Sequence, residues 1–472
     1  MFDSPAEALK FIQQNDVAMV DLKVAGLRGQ WLHVTIPASR FGTKHFEEGV
    51  GYDGSSGSGF AAIESGDVCA RPDPSTAFID PFWERKTLSF ICDTVSADTR
   101  ELLPIDPRCT LRRAVQYMRS TGIADEAWMA PEFEFTVYDR VELINEPYHT
   151  SVVIRSAERV NSGDAVPLPH MGGYMASPPS EQLHDLRSDI ALTLGELGVP
   201  VRYHHHEVGA AGQCEVEIEL VPVPRVADMA MLTKYVIKNV ARRHNKLATF
   251  MPKPILNEPG NGMHVHQRLE KNGKPVFFDD SGQRYADMSD TGLQYIGGLL
   301  AHGQALTALT NPSTNSFKRL IEGYEAPVAL FFSLANRSAA IRIPRYAKKP
   351  ASKRIEYRPG DFTCNIYYAL AAMLMAGLDG VRQRIDVAAR HFGPFDVDIS
   401  HQPAEFRAKI DALPRSLMGA MAALQADCDF LLAGEVFTQP FIDAWCTMLR
   451  RQRVDAVAHR PHPFEFQLYL DC

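Results

Sequence analysis

Within Met129-Ala130-Pro131-Glu132-Phe133-Glu134-Phe135-Thr136-Val137-Tyr138, polar and apolar residues alternate from Glu132 to Val137. That period predicts a strand, with Phe133 and Phe135 packed to one side and Glu132 and Glu134 together on the other. Two carboxylates on one strand face repel unless a cation sits between them. Taken alone, a solvated strand face is the commoner meaning of such a pattern. The neighbouring sequence shifts that balance.

Downstream, His204-His205-His206-Glu207 precedes a small-residue turn, Gly209-Ala210-Ala211-Gly212-Gln213, and then Glu215. The turn allows Glu207 and Glu215 to meet at one ion. Glu215, Glu217 and Glu219 alternate on the next predicted strand, so spacing alone does not choose among them. Asn261-Gly262-Met263-His264-Val265-His266 puts two histidines on one strand face after a glycine turn. Either could bind metal or stack on a substrate, and a satisfied structural role is the commoner fate of a single histidine. Arg354-Ile355-Glu356 adds one more carboxylate. Carboxylates with few imidazoles suit hard divalent cations such as Mg²⁺ or Mn²⁺, whereas Zn²⁺ sites use more His or Cys.

Cationic residues cluster as well. Between Arg337 and Arg358 lie Arg342, Arg345, Lys348, Lys349, Lys353 and Arg354, with Glu356 the single acid. Such density in an acidic chain points to an anionic ligand, with a solvated basic loop as the simpler alternative. Glu356 is either a metal ligand there or the ion-pair partner of the arginines. The polar loop 311–319 ends in Arg319, and Glu325 follows in Gly323-Tyr324-Glu325-Ala326-Pro327. That order fits carboxylate binding plus a base on a lid. Divalent ions with arginines are what phosphoryl transfer requires, because both stabilise charge spread over phosphate oxygens.

The 472 residues exceed one ordinary core, so two domains are expected, with the boundary near residues 104–110. A net charge of −8 argues against a general nucleic-acid or bilayer-surface partner. The eight cysteines are dispersed without a Cys-x-x-Cys and read as reduced thiols of a cytoplasmic protein. Ser4-Pro5-Ala6-Glu7 reads as a helix start with a capping box rather than a secretory signal. The longest apolar run, 366–378, is too short for a bilayer. Strands are expected at 17–24 and 31–36 as a hairpin, then at 88–94, 129–138 and 215–221. Residues 53–59 read as a mobile loop. Helices are expected at 110–122, 180–197, 226–250, 290–309, 363–384 and after Arg415, with loops at 259–262 and 344–350.

Asp53-Gly54-Ser55-Ser56, Ile79-Asp80-Pro81-Phe82, His205-His206-Glu207-Val208, Gly212-Gln213, Ala248-Thr249-Phe250-Met251-Pro252-Lys253-Pro254, Gly262-Met263-His264, the segments 311–320 and 323–327, Asn336-Arg337-Ser338-Ala339 and Arg354-Ile355-Glu356 follow one another. In that order they resemble bacterial type I glutamine synthetase over nearly the whole chain. His462-Pro463-Phe464-Glu465-Phe466 looks like the family's C-terminal segment. The resemblance implies an α+β chain: an N-terminal β-grasp domain (1–106) and a catalytic domain (107–472) with a curved antiparallel sheet and flanking helices. It implies dodecamers of two stacked hexameric rings with sites between neighbouring subunits. It implies about two to three divalent ions, one held by Glu134, Glu207 and Glu215 and another by Glu132, His264 and Glu356. Glutamate, ammonium and ATP are the implied substrates. Arg337 and Arg342 would then offset phosphoryl charge, with His266 and Arg354 beside the nucleotide. Ser56, Gly260, Arg319 and Arg358 would bind substrate. Asp53, given by a neighbouring subunit, would bind ammonium and take its proton, and Glu325 would shield the intermediate.

The chain departs from the family pattern at Arg202, Pro259, Arg268 and Ala351, all at the nucleotide and amino-acid rims. These changes bear on the acid substrate more than on the reaction. Gly393-Pro394-Phe395-Asp396 aligns with the loop that carries an adenylylated tyrosine in many members, and Phe395 has no hydroxyl. Ammonia ligation is the leading expectation, since Asp53 and Ser56 are retained. A γ-glutamyl–amine ligase using methylamine, ethanolamine or a polyamine is the alternative. A catalytically silent relative is a third reading, and retention of all the expected ligands argues against it.

Overall fold

Two sheets organise the chain. A computed structural model describes residues 1–56, 59, 66–159, 166, 168–324 and 326–472. The first sheet has the strand order Trp31–Pro37, Met19–Ala25, Thr87–Ser96, Asp67–Pro72, Val50–Asp53. Its central pair, Met19–Ala25 and Thr87–Ser96, is parallel, and its other neighbours are antiparallel. Helix Pro5–Gln14 supplies Ala8 and Ile12 to the core over this sheet, against Val20, Leu22, Phe46 and Phe90. The cap at its start is local: Ser4 Oγ accepts from Glu7 N, while Glu7 Oε2 accepts from Asp3 N rather than Ser4 N.

The second sheet has ten strands, ordered Val201–His206, Gln213–Ile218, Glu126–Tyr138, Val265–Lys271, Ile355–Tyr357, Ile341–Ile343, Phe332–Leu334, with three short strands alongside. It is antiparallel except for the last pair. Strand Glu126–Tyr138 lies at its centre, and Phe133 and Phe135 are fully buried on one face. That face carries helices, among them Arg225–Arg243 and Ile366–Arg382. The apolar run expected near 366–378 forms Ile366–Arg382, a core helix whose N-cap Asn365 accepts from Tyr367 N. Among the described residues no single helix is long and apolar enough to cross a bilayer. Helix Asp290–Ala301 crosses Ile366–Arg382 so closely that a Cβ on Gly298 would lie 2.0 Å from Ala376 O, so glycine is required there.

Several elements depart from expectation for identifiable reasons. The helix expected from 110 begins at Pro107, since proline is welcome in a first turn and Asp106 Oδ1 caps Cys109 N at 2.8 Å. The helix expected over 226–250 stops at Arg243. Asn245 then turns left-handed (φ 56°), and Leu247–Thr249 joins the central strand as an edge partner. The 290–309 helix breaks at His302 into Asp290–Ala301 and Gly303–Thr310. The hairpin of Arg140–Glu146 and His149–Arg155 was not anticipated.

The two sheets are joined by a buried ionic hub. Arg108 bonds Asp93, Asp73 Oδ2 (3.0 Å) and both oxygens of Asp228 (2.9 Å each), and Tyr367 OH donates to Asp228 Oδ1 at 2.7 Å. Asp73 and Asp93 come from the first sheet's side, Asp228 and Tyr367 from the helices of the second.

Candidate active site

Register places the acidic residues on one face of the large sheet. Strand Gln213–Ile218 lies antiparallel to Glu126–Tyr138 with Glu215 opposite Glu134 and Glu217 opposite Glu132. On the outer side His205 stands opposite Glu215. Across the centre, His266 stands opposite Glu356, which in turn stands opposite Arg342. All four of Glu132, Glu134, Glu215 and Glu217 are buried. Direct cross-strand pairs of like charge are destabilising, and burial sharpens the repulsion.

The chain answers part of this charge itself. Glu132 shares its oxygens between His264 Nδ1 (2.7 Å) and His266 Nε2 (2.8 Å). Burial pushes its carboxyl up, but those two histidines hold it well below the usual range. Burial and Glu132 also push Glu356 up. Arg358, His266 and Arg342 outweigh them and bring it to about 2. Arg358 Nη1 donates to Glu356 Oε1 at 2.6 Å, and Arg342 pairs with Oε2. Glu215 is different. Burial with the charges of Glu132, Glu207 and Glu134 holds it well above the carboxylate range, and the nearest histidine nitrogen, His205 Nε2, is 3.7 Å away. Full ionisation on that side needs added positive charge. An oxygen-rich donor set with imidazole at its edge fits a hard divalent cation.

Among the described residues, three groups have one ligand atom apiece within 4.8 Å of each other: Glu132, His266 and Glu356; His205, Glu207 and Glu215; and Glu132, Glu215 and Glu217. His264, expected as a ligand, also faces this centre, 3.6 Å from Glu134 and 3.9 Å from Glu356. His266, expected beside a nucleotide, thus turns one nitrogen to Glu132 and the other toward Arg354 Nε at 3.3 Å. His205 and Glu217 were not singled out from sequence. Their signal was the alternation that left Glu215, Glu217 and Glu219 undecided, and strand pairing turns both Glu215 and Glu217 inward while Glu219 is exposed.

Arg319 is buried beside this cluster, its guanidinium held by Pro359 O (2.9 Å), Gly360 O (3.2 Å) and Arg358 O (3.3 Å). A Cβ on Gly262 would lie 2.2 Å from Arg319 Nη2, and one on Gly260 would lie 2.3 Å from Pro252 O and 2.8 Å from Arg319 Cγ. Glycine at both places lets the loop press on the arginine. Gly262 N also donates to Glu134 Oε2 at 2.6 Å. Arg337 is exposed in the loop after Phe332–Leu334, and Arg354 is buried beside Tyr346.

Asp53 ends strand Val50–Asp53 and is exposed. Its carboxylate accepts from Ser55 Oγ (2.6 Å), Ser56 Oγ and Ser55 N (2.8 Å), which hold it down at about 2. These bonds tie Asp53 and Ser56 to their own loop. Glu325 lies outside the described residues.

The departures find partners. Arg202 Nη1 pairs with Glu217 Oε2 at 3.0 Å. Arg268 pairs with Glu270 at 2.8 Å and donates to Ala351 O, so two of the altered positions meet. Lys353 Nζ is engaged by Ala286 O at 2.6 Å. Phe395 packs against Phe331 and Phe406 in a small separate core.

Comparison with known proteins agrees with this architecture. The glutamine synthetase β-grasp domain matches residues 16–97, and the glutamine synthetase catalytic domain matches 104–469. A glutamine synthetase of Frankia alni is 44% identical over 482 aligned residues, covering 100% of both chains. One from Aquifex aeolicus is 44% identical over 99% of each. The cryo-EM structure of Plasmodium falciparum glutamine synthetase superimposes with a TM-score of 0.89 at 25% identity, over 99% of each chain. Fold and site together define a ligase built from a β-grasp domain and a carboxylate-lined sheet. The chain belongs to the glutamine synthetase family.

Proposed function

We propose that this protein joins ammonia to the γ-carboxylate of L-glutamate with ATP, giving glutamine, ADP and phosphate. The observation that carries the reading is the cross-strand row of buried carboxylates, Glu134 opposite Glu215 and Glu132 opposite Glu217, continued by His266, Glu356 and Arg342. Glu134, Glu207 and Glu215 would hold one divalent ion, and Glu132, His264 and Glu356 another. The ions are Mg²⁺ or Mn²⁺, about two to three per site. When bound they supply charge to the phosphate oxygens and align the terminal phosphate.

The remaining work falls to side chains. The γ-carboxylate attacks the terminal phosphorus, ADP leaves, and γ-glutamyl phosphate forms. Phosphorylation turns a poor acylating agent into a good one. Arg337 and Arg342 offset charge on the phosphoryl group in transit. His266 and Arg354 border the nucleotide. Arg319 and Arg358, with Gly260 and Ser56, hold glutamate. Asp53 of a neighbouring subunit binds ammonium and takes one proton. Its low pKa, set by Ser55 and Ser56, keeps it ionised for that cation. Glu325 covers the intermediate and completes deprotonation. Ammonia then attacks the acyl carbon and phosphate departs.

The same reading gives a β-grasp domain over 1–106, a catalytic domain over 107–472, a cytoplasmic setting and a dodecamer of two hexameric rings. Phosphate release from the purified protein tests the reaction, with ATP, Mg²⁺ and glutamate and either ammonium or a panel of small amines. Ammonium-dependent release with glutamine as product supports it. Release only with an organic amine replaces it with γ-glutamyl–amine ligation, and silence throughout overturns both.

A further inference from the structure

On the other side of strand Val201–His206 from His205, His206 is fully buried against Glu158, itself 3% exposed. The two residues are 48 positions apart, and His206 Nε2 lies 3.1 Å from Glu158 Oε2. The ring's other nitrogen, Nδ1, lies 2.6 Å from the backbone oxygen of Glu207. A carbonyl can only accept, so Nδ1 carries a hydrogen and donates it to that oxygen. Glu158 is anchored in turn, its second oxygen accepting from Gln182 N at 2.6 Å.

The Glu207 peptide is therefore gripped from several directions. Gly173 lies flat on it: a Cβ there would fall 2.5 Å from Glu207 O and 2.6 Å from His206 Cε1 and Nδ1. Gly173 N donates to Val208 O (3.0 Å), Met175 N to His206 O (3.0 Å), and Glu207 N to Gln213 O (2.9 Å). The Glu207 carboxylate accepts from Val208 N at 2.6 Å. A peptide fixed this closely fixes the direction of its Cα–Cβ bond, and with it the carboxylate.

We propose that Glu158 and His206 are positioning residues for the divalent ion held by Glu134, Glu207 and Glu215. The inference rests on the ion assignment given above. A buried polar contact of this kind does little for stability compared with well-packed apolar residues, so its retention asks for another purpose. Here the chain runs from carboxylate to imidazole to the carbonyl of a ligand residue, and supports of this kind tune metal affinity by about 10- to 100-fold.

Mn²⁺ titration of the intact protein, read by electron paramagnetic resonance of the free ion, tests this without an activity assay. Glu158→Asp shortens the side chain by one methylene and withdraws the carboxylate from Nε2. It should raise the dissociation constant of one class of Mn²⁺ at least about tenfold and leave the other class in place. Glu158→Gln keeps an acceptor facing Nε2 and should stay close to the parent protein. Gly173→Ala presses on the same carbonyl by another route and should weaken the same class, which covers the case of Glu158→Asp failing to fold. A Mn²⁺ titration unchanged in Glu158→Asp would overturn the proposal, as would equal weakening of every class. A parent protein that binds no Mn²⁺ would overturn the ion assignment as well.

Discussion

Glu134 and Glu215 stand directly opposite each other on neighbouring antiparallel strands, both buried. Nothing in sheet packing calls for that. It is an arrangement that a cation repairs, and its consequences can be measured in the folded protein.

Chelation should therefore lower thermal stability, and divalent ions should restore it. At 100 times the dissociation constant, one bound ion adds about 2.7 kcal/mol. Without an ion, burial and the neighbouring carboxylates keep Glu215 protonated. Glu215→Gln should therefore leave the melting temperature of the chelated protein nearly unchanged and reduce the rise on adding Mn²⁺. A Mn²⁺-induced rise as large in Glu215→Gln as in the parent would count against Glu215 as a ligand.

Gly262→Ala should damage activity more than stability. Its methyl would meet Arg319 Nη2 at 2.2 Å and push a guanidinium that three carbonyls hold in place. If Arg319 holds glutamate as proposed, displacing it by about 1 Å should lower kcat/KM by about 100-fold. Steady-state kinetics with glutamate as the varied substrate checks it.

How far these residues could be read from sequence depends on whether the cause is local. Alternation along 129–138 exposed the paired glutamates because side-chain direction in a strand has period two. It could not rank Glu215 against Glu217, since that requires knowing which strand lies opposite. The helix expected from 110 begins three residues earlier, at Pro107, because proline both ends extended segments and suits a helix's first turn. The helix expected to 250 ends at Arg243, since the pull on Leu247–Thr249 comes from Glu126–Tyr138, far away in sequence. The Glu158–His206 contact had no local signature at all.

Stability should fall above neutral pH through His302. Asp427 Oδ2 lies 2.8 Å from one ring nitrogen and Asp379 Oδ2 3.0 Å from the other, and the ring stacks on Phe430 at 4.0 Å. Burial pulls its pKa down, but Asp379 and Asp427 outweigh burial and raise it from 6.5 to about 9. A folded pKa above the unfolded one stabilises fully below about pH 6.5, and the contribution fades as pH rises through about 9. The shift corresponds to about 3 kcal/mol. His302→Gln should lower the melting temperature at pH 6 and flatten its decline between pH 6.5 and 9. A parallel decline in parent and variant would exclude His302 as its source.

Asp228→Asn should loosen the junction of the two sheets. It removes one of the three carboxylates paired with buried Arg108, whose other partners, Asp73 and Asp93, come from the other side. Breaking a buried pair costs about 3–5 kcal/mol. Urea unfolding followed by tryptophan fluorescence should show an earlier midpoint.

Shared sites predict complementation. Asp53→Ala and Glu356→Ala proteins should each be inactive, yet co-assembled subunits should regain about a quarter of parental activity, since a random mixture restores both residues at one site in four. Verified mixed rings with no activity would place Asp53 in its own subunit's site.

Oxygen transfer tests the central claim most directly. Glutamate labelled with ¹⁸O in its γ-carboxylate, turned over with ATP and ammonium, should deliver one labelled oxygen to each phosphate released, because that oxygen bridges carbon and phosphorus in γ-glutamyl phosphate. Phosphate carrying no label, formed at the same rate as glutamine, would mean the carboxylate is never phosphorylated and would contradict the account.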